Sequence, residues 1–146
     1  FKFAKGLQDR GAMPFHLMLE EAHRYVQNDN DNYLIGYNIF DRITKEGRKY
    51  GVFLTFITQR PSELSPTALS QCSNFLVFRI FHPKDFGIVR EMSTNVTTET
   101  LNTLKNLNNG TALGYGTAFK IPVIINFGLA DPMPESSSLK LNELWY

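Results

Sequence analysis

Three nearly continuous apolar runs constrain the fold of this chain more than any other feature. They span residues 14–19, 52–58 and 75–81 and include the segments VFLTFIT and NFLVFRI. Such runs are typical of strands that are covered on both faces, as in a parallel sheet. Two shorter and more broken runs, at residues 111–115 and 122–127, predict strands closer to an edge of the sheet.

Helical segments are predicted between these strands. Apolar residues recur at helical spacing over residues 34–43, and Ser65 followed by Pro66 is typical of an N-cap and a first helical turn. Residues 83–92 and 97–107 predict two more helices. The alternation of strands and helices predicts right-handed crossovers and an α/β fold, with a mostly parallel sheet flanked by helices.

Composition narrows the class of protein. Hydrophobic side chains make up 42% of the 146 residues, enough for a core, and 15 basic against 14 acidic residues leave no strong overall charge. Any contact with nucleic acid therefore has to come from a local patch. The single cysteine, Cys72, excludes an internal disulfide framework and is compatible with a cytoplasmic location. No apolar stretch reaches the roughly 20 residues that a membrane-spanning helix needs, so no membrane contact is expected.

The ends of the chain predict its organisation. The sequence begins with Phe1 rather than Met, which suggests a piece of a longer protein. Residues 1–129 are expected to form part of one domain. Residues 130–146 begin rich in proline and serine and end in apolar side chains, so we expect a tail that docks on its own domain or on a neighbouring subunit.

Two adjacent acids, Glu20 and Glu21, end the first apolar run, and Gln59 and Arg60 follow the second. In open parallel sheets, ligands bind outside the carboxyl ends of the strands, so these side chains share one crevice if the two strands are neighbours. One carboxylate can hold Mg²⁺ through water and a second can activate an attacking water, while an amide positions that water and a guanidinium neutralises phosphoryl charge. The alternative interpretation of the acids is a helix N-terminus, where the macrodipole favours negative charge.

Other residues give weaker signals. His23 is interpreted as a hydrogen-bonded residue that fixes the loop after the acids, and Cys72 as a buried small residue without a histidine partner. The glycines of GTALGYGTAF favour a hairpin turn over a dinucleotide site, because no strand-loop-helix context follows them. The 146 residues contain no GxxxxGK[ST] phosphate loop.

The motifs LMLEEAHRY, KEGRKYG, TQRPS and LSQC, and then NNGTALGYG, follow one another between Met13 and Phe127. In this combination they resemble the C-terminal half of the RecA-like motor domain in the HerA branch of the HerA/FtsK superfamily of hexameric DNA-translocating ATPases. The resemblance implies a RecA-like P-loop NTPase core with a C-terminal hairpin or edge strands, and ATP as the nucleotide. The Walker A loop is missing from these residues, so the chain alone is expected to be inactive.

The resemblance also implies roles for single residues. EEAH resembles a Walker B motif, with Glu20 at the position associated with Mg²⁺, through water, and Glu21 at the position of the catalytic base. Gln59 matches a polar sensor that reads the γ-phosphate or the attacking water. Arg48 matches an arginine needed for hydrolysis, either in its own subunit or in an adjacent one. Arg60 is a weaker candidate for nucleotide binding, because the proline after it suggests that it mainly shapes the turn.

The resemblance further implies a homo-hexameric ring with double-stranded DNA in its central channel. DNA contacts would then come from loops that face the channel, and residues 27–32, with Arg24 and Lys45 nearby in sequence, are one expected source. The expected activity is that of a DNA translocase or helicase, in end processing with a nuclease or in a phage-defence complex with an effector enzyme. The alternative is a ring-forming assembly scaffold for an effector enzyme, in which nucleotide is mainly structural. A third hypothesis, independent of the resemblance, is an unrelated α/β enzyme with a carboxylate metal site, for which Asp85 is a further acid.

Overall fold

The computed structural model describes residues 13–27, 39–93 and 96–133. Within these ranges the chain alternates strands with short helices, as the sequence predicts. The strands are β1 (Phe15–Leu19), β2 (Val52–Phe56), β3 (Asn74–Val77), β4 (Thr111–Gly116) and β5 (Val123–Asn126). The α-helices are α1 (Ile39–Glu46), α2 (Pro66–Gln71), α3 (Pro83–Met92) and α4 (Thr98–Thr103). Single 3₁₀ turns lie at Ala22–Arg24, Gly47–Tyr50, Pro61–Glu63 and Leu104–Asn106.

The first two strands are parallel neighbours. They pair in a continuous register from Phe15 opposite Val52 to Leu19 opposite Phe56. The prediction of a parallel sheet is therefore confirmed for the two runs that precede the polar strand ends. Because the strands are parallel and in register, both carboxyl ends lie at the same edge of the sheet.

The third apolar run differs from its prediction in pairing and in length. β3 is antiparallel to β4, which is antiparallel to β5, so these strands form a separate three-stranded sheet. The apolar character of this run does not reflect cover on both faces. Val77 is buried in the core, whereas Leu76 and Phe78 are about half exposed. The predicted C-terminal hairpin is confirmed by the antiparallel β4 and β5 pair.

Local chemistry explains where the helices begin. The Ser65 hydroxyl accepts a hydrogen bond from the Ala68 N–H at the start of α2, which confirms the predicted N-cap. The helix predicted over residues 83–92 is α3, with the same bounds. The segment predicted at 97–107 is α4 followed by a 3₁₀ turn. Of the helix predicted from the apolar residues at 34–43, with Gly47 or Gly51 as its expected end, residues 34–38 lie outside the described residues. The helix α1 ends at Glu46, directly before Gly47.

Two buried clusters form the core, and α3 joins them. One cluster lies beneath β3 and β4 and includes Leu104 and Leu113, which are fully buried. The other packs the loop after β1 against α2 and is centred on Val26. Val89 of α3 belongs to the first cluster, while Ile88 packs against the second. The loops at the ends of β1 and β2 are thus held by the second cluster.

Two predictions fall largely outside the described residues. The proposed docking tail is described only over residues 130–133, and the proposed DNA-contacting segment only at Gln27, which bridges to Leu64. Across the described ranges, no helix combines the length and apolar character that crossing a membrane requires.

Candidate functional site

The candidate site lies where β1 and β2 end. Backbone hydrogen bonds continue the parallel pairing past both strands: the Ile57 N–H donates to the Leu19 carbonyl at 2.9 Å, and the Ala22 N–H donates to the Ile57 carbonyl at 2.9 Å. Ala22 is itself fully buried in the second cluster. The two residues before Ala22, Glu20 and Glu21, are therefore held between a strand end and a fixed backbone anchor.

Glu21 adopts a left-handed backbone conformation, with φ 50° and ψ 44°. Among the described residues other than glycine, it alone has a positive φ. This conformation is unfavourable for a side chain with a Cβ atom, and such strain collects at functional sites, where the surrounding structure enforces it. The turn also ends the strand alternation: Glu20 is the first residue past β1, and the Glu21 carboxylate lies next to Gln59, which follows β2.

Both carboxylate oxygens of Glu21 contact the neighbouring segments. The Gln59 Nε2 donates to Glu21 Oε1 at 3.4 Å, and the His23 Nδ1 lies 3.3 Å from Glu21 Oε2. The same His23 nitrogen lies 3.1 Å from the Thr58 hydroxyl. The structure thus brings together the acid after β1 and the amide after β2, which the sequence placed at neighbouring strand ends.

Glu20 lies one residue past β1, and its side chain is exposed. The described residues contain no group of three or more histidine, cysteine, aspartate or glutamate side chains that could hold a metal ion. A single exposed carboxylate still fits Mg²⁺, which keeps several waters and takes its other ligands from substrate phosphates. The donor set at this edge is therefore compatible with Mg²⁺ that arrives with a nucleotide.

Arg60 begins the 3₁₀ turn that follows β2. Its guanidinium donates to the Glu63 carboxylate at 2.9 Å, and this hydrogen bond together with the Glu63 charge raises the pKa of Arg60. Its backbone N–H donates to the Thr58 hydroxyl at 3.0 Å. In this arrangement Arg60 shapes the turn, and its side chain has to leave Glu63 before it can contact a nucleotide.

Asp85 anchors the same turn from the opposite side. It lies in the first turn of α3, is only 7% exposed, and accepts a hydrogen bond from the Ser62 N–H at 3.0 Å. The His82 Nδ1 approaches its other oxygen at 3.5 Å. Asp85 therefore fixes the turn that follows Gln59, and within the described ranges it belongs to no group of three or more side chains that could hold a metal ion. Sequence reasoning missed this role, and no local pattern signals it.

Arg48 lies away from the other site residues. It belongs to the 3₁₀ turn before β2, and the Gly51 carbonyl at the end of that turn accepts a hydrogen bond from the Phe15 N–H at the start of β1. Arg48 is therefore at the amino end of the parallel pair, at least the length of a five-residue strand from Glu21. At ~3.3 Å per residue this separation is about 16 Å.

Cys72 does not take part in the site. Burial raises the pKa of its thiol, and its Sγ donates to the Ala68 carbonyl at 3.5 Å. The sequence predicts a buried small residue at this position, whereas Cys72 is half-buried in the structure. Its raised pKa disfavours the thiolate, which is the reactive form of cysteine.

No protein-family profile matches the chain. A probable helicase of Methanocaldococcus jannaschii is 34% identical over 134 residues, which are 92% of this chain and 26% of that protein. The DNA double-strand break repair helicase HerA of Sulfolobus acidocaldarius is 33% identical over 132 residues, or 90% of this chain and 26% of that protein. The chain thus spans about a quarter of the length of these curated relatives.

Among solved structures, the genome packaging NTPase B204 of Sulfolobus turreted icosahedral virus 2, in complex with ATPγS, is similar to this chain. The two structures superpose with a TM-score of 0.62 over 78% of this chain and 52% of the NTPase, at 19% sequence identity. A second structure of this NTPase, in complex with AMPPCP, superposes with a TM-score of 0.60. At this identity the likeness establishes the fold, which is that of a P-loop NTPase.

Proposed function

Because this chain belongs to the HerA branch of the HerA/FtsK superfamily, we propose that the complete protein hydrolyses ATP to drive movement along double-stranded DNA. The chain covers only part of its relatives, so the activity of the whole protein is inferred from the site. One observation carries the inference: the Gln59 amide donates to the Glu21 carboxylate across the ends of two parallel strands. An acid and an amide in this relation can hold one water between them.

Glu21 is the proposed general base. Its carboxylate is 39% exposed, so it can accept a proton from water that enters the crevice. A base that is positioned by hydrogen bonds and a strained backbone loses little freedom when the reaction begins. The proton of the attacking water would pass to Glu21 as the water oxygen attacks the γ-phosphorus, and ADP and inorganic phosphate would leave.

Gln59 is the proposed sensor. Its Nε2 donates to Glu21, while its carbonyl oxygen can accept a hydrogen from the attacking water. Arg60 is a second candidate for phosphate contact, after release from Glu63. Glu20 would hold Mg²⁺ through water, and that ion supplies positive charge next to the phosphate oxygens.

Arg48 is proposed to act on the nucleotide of an adjacent subunit. The proposal is supported by its position at the amino end of β2, about 16 Å of strand from Glu21 and so away from the crevice of its own chain. Its side chain is exposed and so can reach across an interface. An arginine supplied in this way neutralises charge that develops on the phosphoryl oxygens.

A homo-hexameric ring around double-stranded DNA would supply the interface that Arg48 needs. Arg24 and Lys45 are exposed and are proposed to contribute DNA contacts. A nuclease or another effector protein is the proposed partner, in end processing or in phage defence. If nucleotide instead only supports assembly of such an effector, the protein is a scaffold.

A DNA-stimulated ATPase assay on the complete protein tests the proposal. We expect double-stranded DNA to raise phosphate release by the wild type, and Glu21→Gln to abolish release with and without DNA. Glu91→Gln changes an exposed glutamate at the end of α3 and serves as the matched control, with wild-type turnover expected. Turnover that DNA leaves unchanged would favour the scaffold, and full activity of Glu21→Gln would refute the assigned base.

A further inference from the structure

His23 lies at the centre of the contacts around Glu21. Its Nδ1 is 3.3 Å from Glu21 Oε2 and 3.1 Å from Thr58 Oγ1. The His23 side chain is 15% exposed, compared with 39% for Glu21. One nitrogen of a mostly buried side chain thus faces both the proposed base and the last residue before the sensor.

The chemistry of these partners determines which ring nitrogen carries the hydrogen. An ionised carboxylate oxygen can only accept hydrogen bonds, so Nδ1 must donate if its contact with Glu21 is to be favourable. The Thr58 hydroxyl has two lone pairs and can accept from the same N–H. We therefore assign a hydrogen to Nδ1, shared between Glu21 and Thr58; this is inferred from the hydrogen-bond network.

Thr58 extends the contact into the sensor loop. Its hydroxyl accepts a hydrogen bond from the Arg60 N–H at 3.0 Å, which closes a short turn around Gln59. These contacts run from Glu21 through His23 and Thr58 to Arg60. They enclose Gln59, which itself donates to Glu21. The base and the sensor are linked by two routes, one direct and one through His23.

We propose that His23 is a positioning residue, which aims the Glu21 carboxylate and couples it to the sensor loop through Thr58. This inference rests on the proposed function, because it assigns His23 to the same hydrolytic site. Glu21 is held at a strained backbone, and without the His23 N–H its carboxylate has one fewer donor to fix its orientation. Removal of the hydrogen-bond partners that orient metal ligands typically changes activity by about 10–100-fold, and we expect an effect of the same order for a partner that orients the base.

The chain contains a matched control for this proposal. On the same two strands His16 pairs with Phe53 and Thr55 pairs with Met18, and His16 Nε2 contacts the Thr55 hydroxyl at 2.6 Å. This pair also links β1 to β2 by a histidine–threonine hydrogen bond. Both residues lie within the paired strands rather than past their carboxyl ends, so a substitution there breaks a similar bond away from Glu21 and Gln59.

The test compares ATP hydrolysis by the complete protein carrying His23→Leu, His23→Asn or His16→Leu. Leucine fills the space but donates nothing, whereas the Asn Nδ2 occupies nearly the same position as the histidine Nδ1 and donates. We expect His23→Leu to lower kcat by about 10–100-fold with KM for ATP within about threefold. His23→Asn should recover most of kcat, and His16→Leu should keep the wild-type kcat.

Thermal unfolding and ATP-analogue binding are measured on the same variants, so that loss of folding is separated from loss of positioning. If His23→Leu and His23→Asn lose kcat equally while both stay folded, or if His23→Leu keeps the wild-type kcat, the positioning role is refuted. Glu21→Gln distinguishes this from failure of the proposed function. An inactive Glu21→Gln with a fully active His23→Leu overturns only the role of His23, whereas an active Glu21→Gln overturns the site itself.

Discussion

Replacement of Gly116 by alanine should open the three-stranded sheet. Gly116 ends β4 at φ +124°, a backbone conformation that side chains with a Cβ rarely adopt. A Cβ built there overlaps the Ser73 carbonyl oxygen and lies 2.7 Å from the Asn74 Cα. Neither atom can move freely, because the Ser73 carbonyl accepts the Thr117 N–H at 3.0 Å and Asn74 is paired with Gly116 in the sheet.

The magnitude follows from two terms. A residue forced into a sparsely populated backbone region costs about 1–3 kcal/mol, and overpacking against fixed atoms costs roughly another 1–3 kcal/mol. We therefore expect the free energy of local opening of β3–β5 to fall by about 3 kcal/mol, or more than a hundredfold in the opening equilibrium at 1.4 kcal/mol per factor of ten.

Native-state hydrogen exchange on the complete protein measures this opening directly, through the amide protection of β4. Gly87→Ala is the matched control. Gly87 lies inside α3, and a Cβ there meets nothing within 4 Å. Alanine at this position should leave the amide protection of β4 unchanged and stabilise α3 by about 0.5–1 kcal/mol, because alanine favours a helix more than glycine does. If Gly116→Ala exchanged as slowly as the control, the steric reasoning would be wrong.

Three further positions, Ser65, Asp85 and Tyr115, test the packing of the fold. Ser65→Ala removes the N-cap of α2 and should lower stability by about 1 kcal/mol, measured by thermal unfolding; an unchanged midpoint would contradict the cap. Asp85→Ala leaves the Ser62 N–H without its acceptor and should cost about 1–3 kcal/mol, with Asp85→Asn less affected; equal losses would refute the anchor. Burial raises the pKa of Tyr115 to about 12. Because the unfolded phenol ionises near pH 10, the stability that Tyr115 contributes is complete below that pH and is lost as pH rises towards 12. Tyr115→Phe should therefore make the free energy of unfolding less dependent on pH over that range. An unchanged dependence on pH would exclude Tyr115 as its source.

Local chemistry made the short helices predictable. The Ser65 and Pro66 pair sets the start of α2, and Pro83 sets the start of α3, because capping and the fixed φ of proline act within one turn. The strand-end rule likewise anticipated that Glu21 and Gln59 lie together, since it requires only that two apolar runs be parallel neighbours.

Non-local features were not predictable in the same way. The antiparallel partner of β3 lies more than 30 residues away in β4, and the apolar pattern of β3 does not specify strand direction. Asp85 reaches Ser62 only because α3 packs beside the turn after β2. The left-handed backbone of Glu21 follows from the buried anchor at Ala22, and glutamate has no preference for that conformation.

Arg48 shows the limit of motif reasoning most clearly. The resemblance implied that it takes part in hydrolysis, but sequence spacing could not say on which edge of the sheet it lies. The pairing of Phe15 with Val52 places it at the amino end, away from Glu21. Its role in an adjacent subunit stays a prediction.

The most direct test of the central claim separates ATP binding from ATP cleavage in the complete protein. Wild type and Glu21→Gln are mixed with a substoichiometric amount of labelled ATP, and bound nucleotide is analysed over time. If Glu21 is the base, Glu21→Gln should bind ATP with a Kd within a few-fold of wild type but cleave it about 10²–10⁴ times more slowly. Conversion of bound ATP to ADP at the wild-type rate by Glu21→Gln would contradict the account.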